Sequence, residues 1–118
     1  NVAWIVSPKI NLSGYKNAVL SFRSAQHDLK IDSPLNTLEI YVSANFDGSS
    51  ITKAKWTKLE AKIPSLSNPS REFISSGGID LSAYSGNINI GFRYVGSGKD
   101  KTLNGAFMVD DIKIFGEK

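Results

Sequence analysis

The chain has no cysteine, which excludes disulfides and thiolate metal sites outright. An extracellular location stays open, because a sandwich-sized domain holds together without crosslinks. It has a single histidine, His27, so any imidazole catalysis rests on that one residue. No apolar run approaches the roughly 20 residues of a spanning helix, and no signal peptide opens the chain. Insertion of this domain into a membrane is therefore not expected. A convincing amphipathic helix is also missing. Apolar residues alternate in short runs between Gly, Pro, Ser, Asn and Asp, as a β-sandwich or barrel requires.

At 118 residues the chain is one domain, able to bury a core of its own. It begins directly on the strand-like Val2-Ala3-Trp4-Ile5-Val6, which reads as a module (residues 1–118) excised from a longer protein. The net charge is +3 and the pI about 9.2. Part of the excess clusters at Lys53, Lys55, Lys58 and Lys62, around Trp56. Glu60 interrupts the cluster, so a solvated face is expected rather than a nucleic-acid stripe.

Two stretches share one pattern. Ile10-Asn11-Leu12-Ser13-Gly14-Tyr15 leads to Val19-Leu20-Ser21-Phe22-Arg23. Ile79-Asp80-Leu81-Ser82-Ala83-Tyr84 leads to Ile88-Asn89-Ile90-Gly91-Phe92-Arg93-Tyr94. Asn11 and Asp80 are suited to cap their turns by accepting backbone N–H groups. A capped turn feeding a strand, used twice, predicts two similar halves of an all-β, antiparallel sandwich.

Strand phase then sorts side chains, because successive residues point to opposite faces. Leu20 and Phe22 are expected inside, as are Leu38, Ile40, Val42, Ile88, Ile90 and Phe92. Trp4 is placed in the core as well. Tyr41, Glu39, Arg23 and Arg93 are expected on outward faces, and Trp56 and Lys58 share an outward phase. A single helical turn is allowed near Ile51–Ala54. Gly96-Ser97-Gly98-Lys99-Asp100 reads as a polar, mobile loop. In the last strand Phe107 and Val109 share a face, whereas Ile112 and Ile114 follow the opposite phase. The slip at Asp110-Asp111 implies a β-bulge or a doubly buried strand. A cation, loop N–H groups or plain solvation are the alternatives for that carboxylate pair.

Several chemistries can be weighed directly. His27-Asp28 with a serine would need a third group on the far side of the imidazole and an oxyanion hole. Adjacent Asp110 and Asp111 point to opposite faces, which does not suit a paired-carboxylate glycosidase. Gly96 to Lys99 lacks the spacing and the following Ser or Thr of a phosphate loop. Calcium takes six to eight oxygen ligands, and Asp110 or Asp111 with Asp28, Asp32 or Asn36 could supply some of them. Sugar recognition needs an aromatic face beside planar polar groups. Tyr41, Trp56, Arg23 and Arg93 are the candidates, provided their strands are neighbours. No catalytic residue is assigned.

The same residues carry a likeness. Trp4 with Ser7-Pro8, the Ile-x-Leu-Ser-x-Tyr turn, Leu20-Ser21-Phe22, Leu38 to Ser43 with Phe46-Asp47-Gly48, Trp56-Thr57-x-Leu59 and Val109-Asp110-Asp111-Ile112-Lys113-Ile114 resemble the choice-of-anchor J module of Bacteroidetes surface proteins, akin to cleaved-adhesin domains. The resemblance implies a non-catalytic jelly-roll β-sandwich in a secreted or outer-membrane-anchored lipoprotein. It also implies a structural calcium near the acidic final strand, at Asp110 and Asp111. Where the family commonly has Trp before that pair, this chain has Phe107. Expected partners are an extracellular glycan or protein, or neighbouring domains of the same chain.

Overall fold

The two Ile-x-Leu-Ser turns fold alike. In the computed structural model, which describes residues 2–30, 32–33, 36–96 and 105–117, Asn11 Oδ1 accepts the Ser13 N–H at 2.9 Å and Asp80 Oδ1 accepts the Ser82 N–H at 2.8 Å. In both turns a tyrosine N–H donates to the leucine carbonyl three residues back, Tyr15 to Leu12 at 3.1 Å and Tyr84 to Leu81 at 3.0 Å. Both leucines are buried. The side-chain caps satisfy N–H groups that the reversing backbone would otherwise leave open.

Nine strands are described: β1 (Val2–Val6), β2 (Ile10–Asn11), β3 (Lys16–His27), β4 (Thr37–Ser43), β5 (Thr57–Leu59), β6 (Ile74–Ser75), β7 (Ile79–Asp80), β8 (Asn87–Val95) and β9 (Ala106–Glu117). They form two antiparallel sheets, as expected. In the first, β1-β8-β4-β5 lie in that order, and β2 continues along β8. The break between β1 and β2 falls at Ser7-Pro8, where proline has no N–H to give the ladder. In the second, β3 is central, with β9 on one side and the short β6 and β7 on the other. The only helical piece among the described residues is a 3₁₀ turn, Ile51–Lys53. No described helix is long and apolar enough to cross a membrane. Residues 97–100 of the expected polar loop lie outside the described residues.

The repeat has a consequence for topology. Strand β2 belongs to the first copy but pairs with β8 of the second, Ile10 opposite Ile88. Strand β7 belongs to the second copy but pairs with β3 of the first, Ile79 opposite Leu20. Each capped turn therefore crosses from one sheet to the other, and the exchange ties the two layers together. Between them lie Leu20, Phe22, Leu38, Ile40, Ile90 and Phe92, all buried. The matching phenylalanines meet across the layers, Phe22 and Phe92, edge to face with centroids 5.4 Å apart.

The slip at the acidic pair is a bulge. Ser21 pairs with Lys113 and Arg23 with Asp110, so Asp111 and Ile112 together oppose Phe22. Asp111 sits in the left-handed region at φ 54°. A second irregularity at Asn17 (φ 53°) lies opposite Gly116.

Candidate functional site

Register places the polar and aromatic candidates of the first sheet on its outer face. Ile5, Phe92 and Ile40 pair across β1, β8 and β4, and Phe92 and Ile40 point into the core. Their neighbours Trp4, Arg93 and Glu39 form the adjacent row and point outward. The next outward row is Val6, Gly91, Tyr41 and Lys58. Trp56 reaches the same face from just before β5.

Gly91 decides how these rings pack. It has no side chain, and Trp4 and Trp56 converge over it from either side. A Cβ built on Gly91 would lie 2.9 Å from Trp4 Cζ3 and 3.0 Å from Trp56 Cζ3. Trp4 contacts both Tyr41 and Trp56, each with centroids 5.2 Å apart, and Phe46 extends the row 5.6 Å from Trp56. Interplanar angles of 39° to 45° mean the rings share no plane. All four are partly buried, so the cluster is anchored yet keeps a solvent-facing side. Trp56 is also held by its Nε1–H, which donates to the Ile51 carbonyl at 3.0 Å.

A charged group adjoins the rings. Arg93 Nη1 donates to Glu39 Oε1, the Tyr41 hydroxyl donates to the same oxygen at 3.2 Å, and Lys58 Nζ lies 3.5 Å from Oε2. Burial pushes the Glu39 carboxyl up, but the Arg93 hydrogen bond and charge, with Lys58 and Tyr41, outweigh it and hold the group below its usual range. Burial, then the Glu39 charge, pushes the Tyr41 phenol up. Glu39 thus stays ionised and Tyr41 stays neutral near neutral pH. Two cations face one carboxylate, and each retains N–H donors for a further oxygen.

The structure brings Tyr41, Trp56 and Arg93 together but not Arg23. Arg23 lies on β3 of the opposite sheet, where its Nη2 donates to the Phe73 carbonyl at 3.4 Å. Matching positions in the two repeat copies fall on different layers, so the two arginines cannot share a platform. Trp4 is the second correction. It is on the outer face and not in the core, because β1 is apolar at both phases and only its pairing with Arg93 reveals the phase. Sequence reading also passed over Gly91, although a glycine inside a strand signals close approach of another group.

The acidic residues separate too. Asp110 Oδ1 accepts the Asp111 N–H at 2.8 Å, and Asp111 Oδ1 lies 3.4 Å from Lys113 Nζ. Asp28 follows His27, which pairs with Ala106. His27 alone is already roughly 14 Å along the strands from Asp110, at about 3.4 Å per residue, and Asp28 lies beyond it. Among the described residues no three His, Cys, Asp or Glu side chains are grouped to hold a metal ion.

His27 gains a partner that the sequence did not suggest. Its Nδ1 lies 3.0 Å from Ser70 Oγ and its Nε2 3.2 Å from Asp28 Oδ2. Arg71 Nε also donates to Nδ1, at 3.3 Å. Arg71 Nη2 also lies 3.3 Å from Nε2, so the guanidinium contacts both ring nitrogens. The group therefore reads as a surface brace that fixes the Ser70–Arg71 turn to the end of β3.

Neither the protein-family models nor the curated proteins contain a match to this chain.

Proposed function

We propose that this chain is a non-catalytic extracellular binding module that holds a glycan on the outer face of its first sheet. The observation that carries the reading is the convergence of Trp4, Tyr41 and Trp56 over Gly91, beside the Glu39–Arg93 pair. Pyranose rings offer apolar C–H faces to aromatics and hydroxyls to planar charged groups, and both needs meet here. The mutual tilt of the rings favours a single, twisted sugar chain over a flat crystalline surface.

The family likeness remains part of this proposal. The residues that carry it occupy the two capped turns, the Ser7-Pro8 break and the Asp110-Asp111 bulge, each with a definite backbone role. On this reading the module is a jelly roll of the choice-of-anchor J kind, from a Bacteroidetes cell-surface or secreted lipoprotein.

The test is retention on a mixed glycan array. The intact protein should retain at least one glycan, and Tyr41→Ala should abolish that retention while circular dichroism still reports a folded sheet protein. No retention by the intact protein ends the glycan reading. The calcium belonging to the family reading has a separate test. On that reading EDTA should lower the melting temperature and added calcium should restore it, and an unchanged melting curve would remove calcium from the account. A melting temperature that climbs with the logarithm of calcium concentration would establish a cation there.

A second reading, a protein-interaction or spacer module, is favoured by one observation. Ile5 of β1 and Ile112 and Phe115 of β9 stand exposed off the aromatic face.

A further inference from the structure

The aromatic row does not end at Phe46. Beyond that ring lies a cavity of about 420 Å³, lined by Phe46 with Val6, Ser7, Lys9 and Asn89 among others. Register puts it on the same outer face. Val6 belongs to the outward row of Gly91 and Tyr41, and Asn89 pairs with Ser43 in the next outward row along β8. Arg93 and Asn89 are four residues apart on that strand, roughly 14 Å at about 3.4 Å per residue. A single track therefore runs from Arg93 and Lys58, over the rings that converge on Gly91, to Lys9. It is longer than one pyranose ring, so it fits a chain and not a monosaccharide.

The charge that meets solvent along this track is positive. At one end Arg93 and Lys58 share the single Glu39 carboxylate. Their side chains are 31% and 54% exposed, against 16% for Glu39, so the cations are open and the anion is tucked beneath them. At the other end Lys9 is exposed and has no ion pair among the described residues. Asp47 is the acid nearest that end in sequence. It does not line the cavity, and its Oδ1 is engaged by the Ser49 and Ser50 N–H groups at 2.8 Å each. Lys53 and Lys55 stand exposed just before Trp56, with Glu60 as the one acid after Lys58. A hydroxyl can accept from these donors, but an ionised oxygen makes the shorter and stronger bond.

We infer that the glycan held on this face is acidic, a chain bearing carboxylate or sulfate groups. The inference rests on the glycan reading above and names the class of sugar. The rings take the apolar C–H faces. Arg93 and Lys58 take an acid oxygen at one end, and Lys9 takes a second beyond Phe46. Glu39 fixes the first two cations beside the rings without cancelling them.

The probes are matched pairs on an array: oligouronates beside their methyl esters, and sulfated oligosaccharides beside their desulfated parents. The two kinds of pair separate carboxylate from sulfate as the acid that is read. Each exposed charge pair contributes a factor of roughly two to five, so a retained acidic chain should bind about tenfold tighter than its neutral counterpart. That advantage should shrink as salt rises, because exposed charges are screened. Lys9→Gln and Lys58→Gln should each narrow the gap by about a factor of two or more. Both positions are exposed, so circular dichroism should remain that of the folded protein. Equal retention of acidic and neutral members overturns the inference and leaves the glycan reading standing. Retention of no member ends the glycan reading and the inference with it. Oligoglutamate of matching charge held as tightly as the acidic chain also overturns it, since charge without a sugar would then suffice. So does an acidic chain whose advantage survives both substitutions.

Discussion

Phe22→Ala is expected to cost about 3–5 kcal/mol in urea unfolding, the usual penalty for emptying a buried phenylalanine site. Phe22 is nearly inaccessible and fills the junction between the layers, so little can collapse into the space it leaves. Against a total stability of roughly 5–15 kcal/mol for a domain, that loss brings the chain close to unfolding. Phe92→Ala should cost a similar amount. The two costs should not add, because an edge-to-face pair carries about 0.5–1.5 kcal/mol beyond its burial. The double variant should therefore be more stable than the sum of the single losses implies. A loss well under 1 kcal/mol for Phe22→Ala would mean that the repeated strands do not meet face to face.

Gly91→Ala should be the most damaging conservative change on the outer face. The added methyl would meet the rings of Trp4 and Trp56 at about the distances already found, 2.9 and 3.0 Å. Neither ring can retreat into the sheet, and Trp56 is also tethered through Ile51. The overpacking should cost about 1–3 kcal/mol, partly offset because alanine loses less backbone entropy than glycine. The specific signature is spectroscopic. Near-ultraviolet circular dichroism and tryptophan emission should both change, and glycan retention should fall. Gly48→Ala makes an informative contrast, since open space surrounds that position and only its φ of 90° resists substitution. It should cost stability without altering the tryptophan signals. An unchanged tryptophan spectrum in Gly91→Ala would show that the rings do not converge there.

Much of the fold could be read from alternation alone. The inward set Leu38, Ile40 and Val42 and the set Ile88, Ile90 and Phe92 are buried as their phase requires. The turns could be read because Asn11 and Asp80 carry their hydrogen-bond acceptors with them. The bulge was visible as a phase slip, since one extra residue turns every later side chain over. What stayed hidden depends on which strands are neighbours. Trp4 sits in a run that is apolar at both phases, so only its pairing with β8 assigns a face. Arg23 and Arg93 match in the repeat, yet the repeat distributes its copies between the two sheets. Asp28 follows the end of β3 and Asp110 lies on its partner β9, but their offset along the ladder separates them. Strand adjacency is a long-range property, and no local pattern in this chain encodes it.

The glycan reading is tested most directly by NMR titration of the ¹⁵N- and ring-labelled protein with whichever glycan the array retains. Shifts should concentrate on the Trp4, Tyr41 and Trp56 ring signals and on the side chains of Arg93 and Lys58. Signals of Arg23 and the second sheet should stay in place. Shifts centred on the second sheet, with the tryptophan rings unmoved, would contradict it.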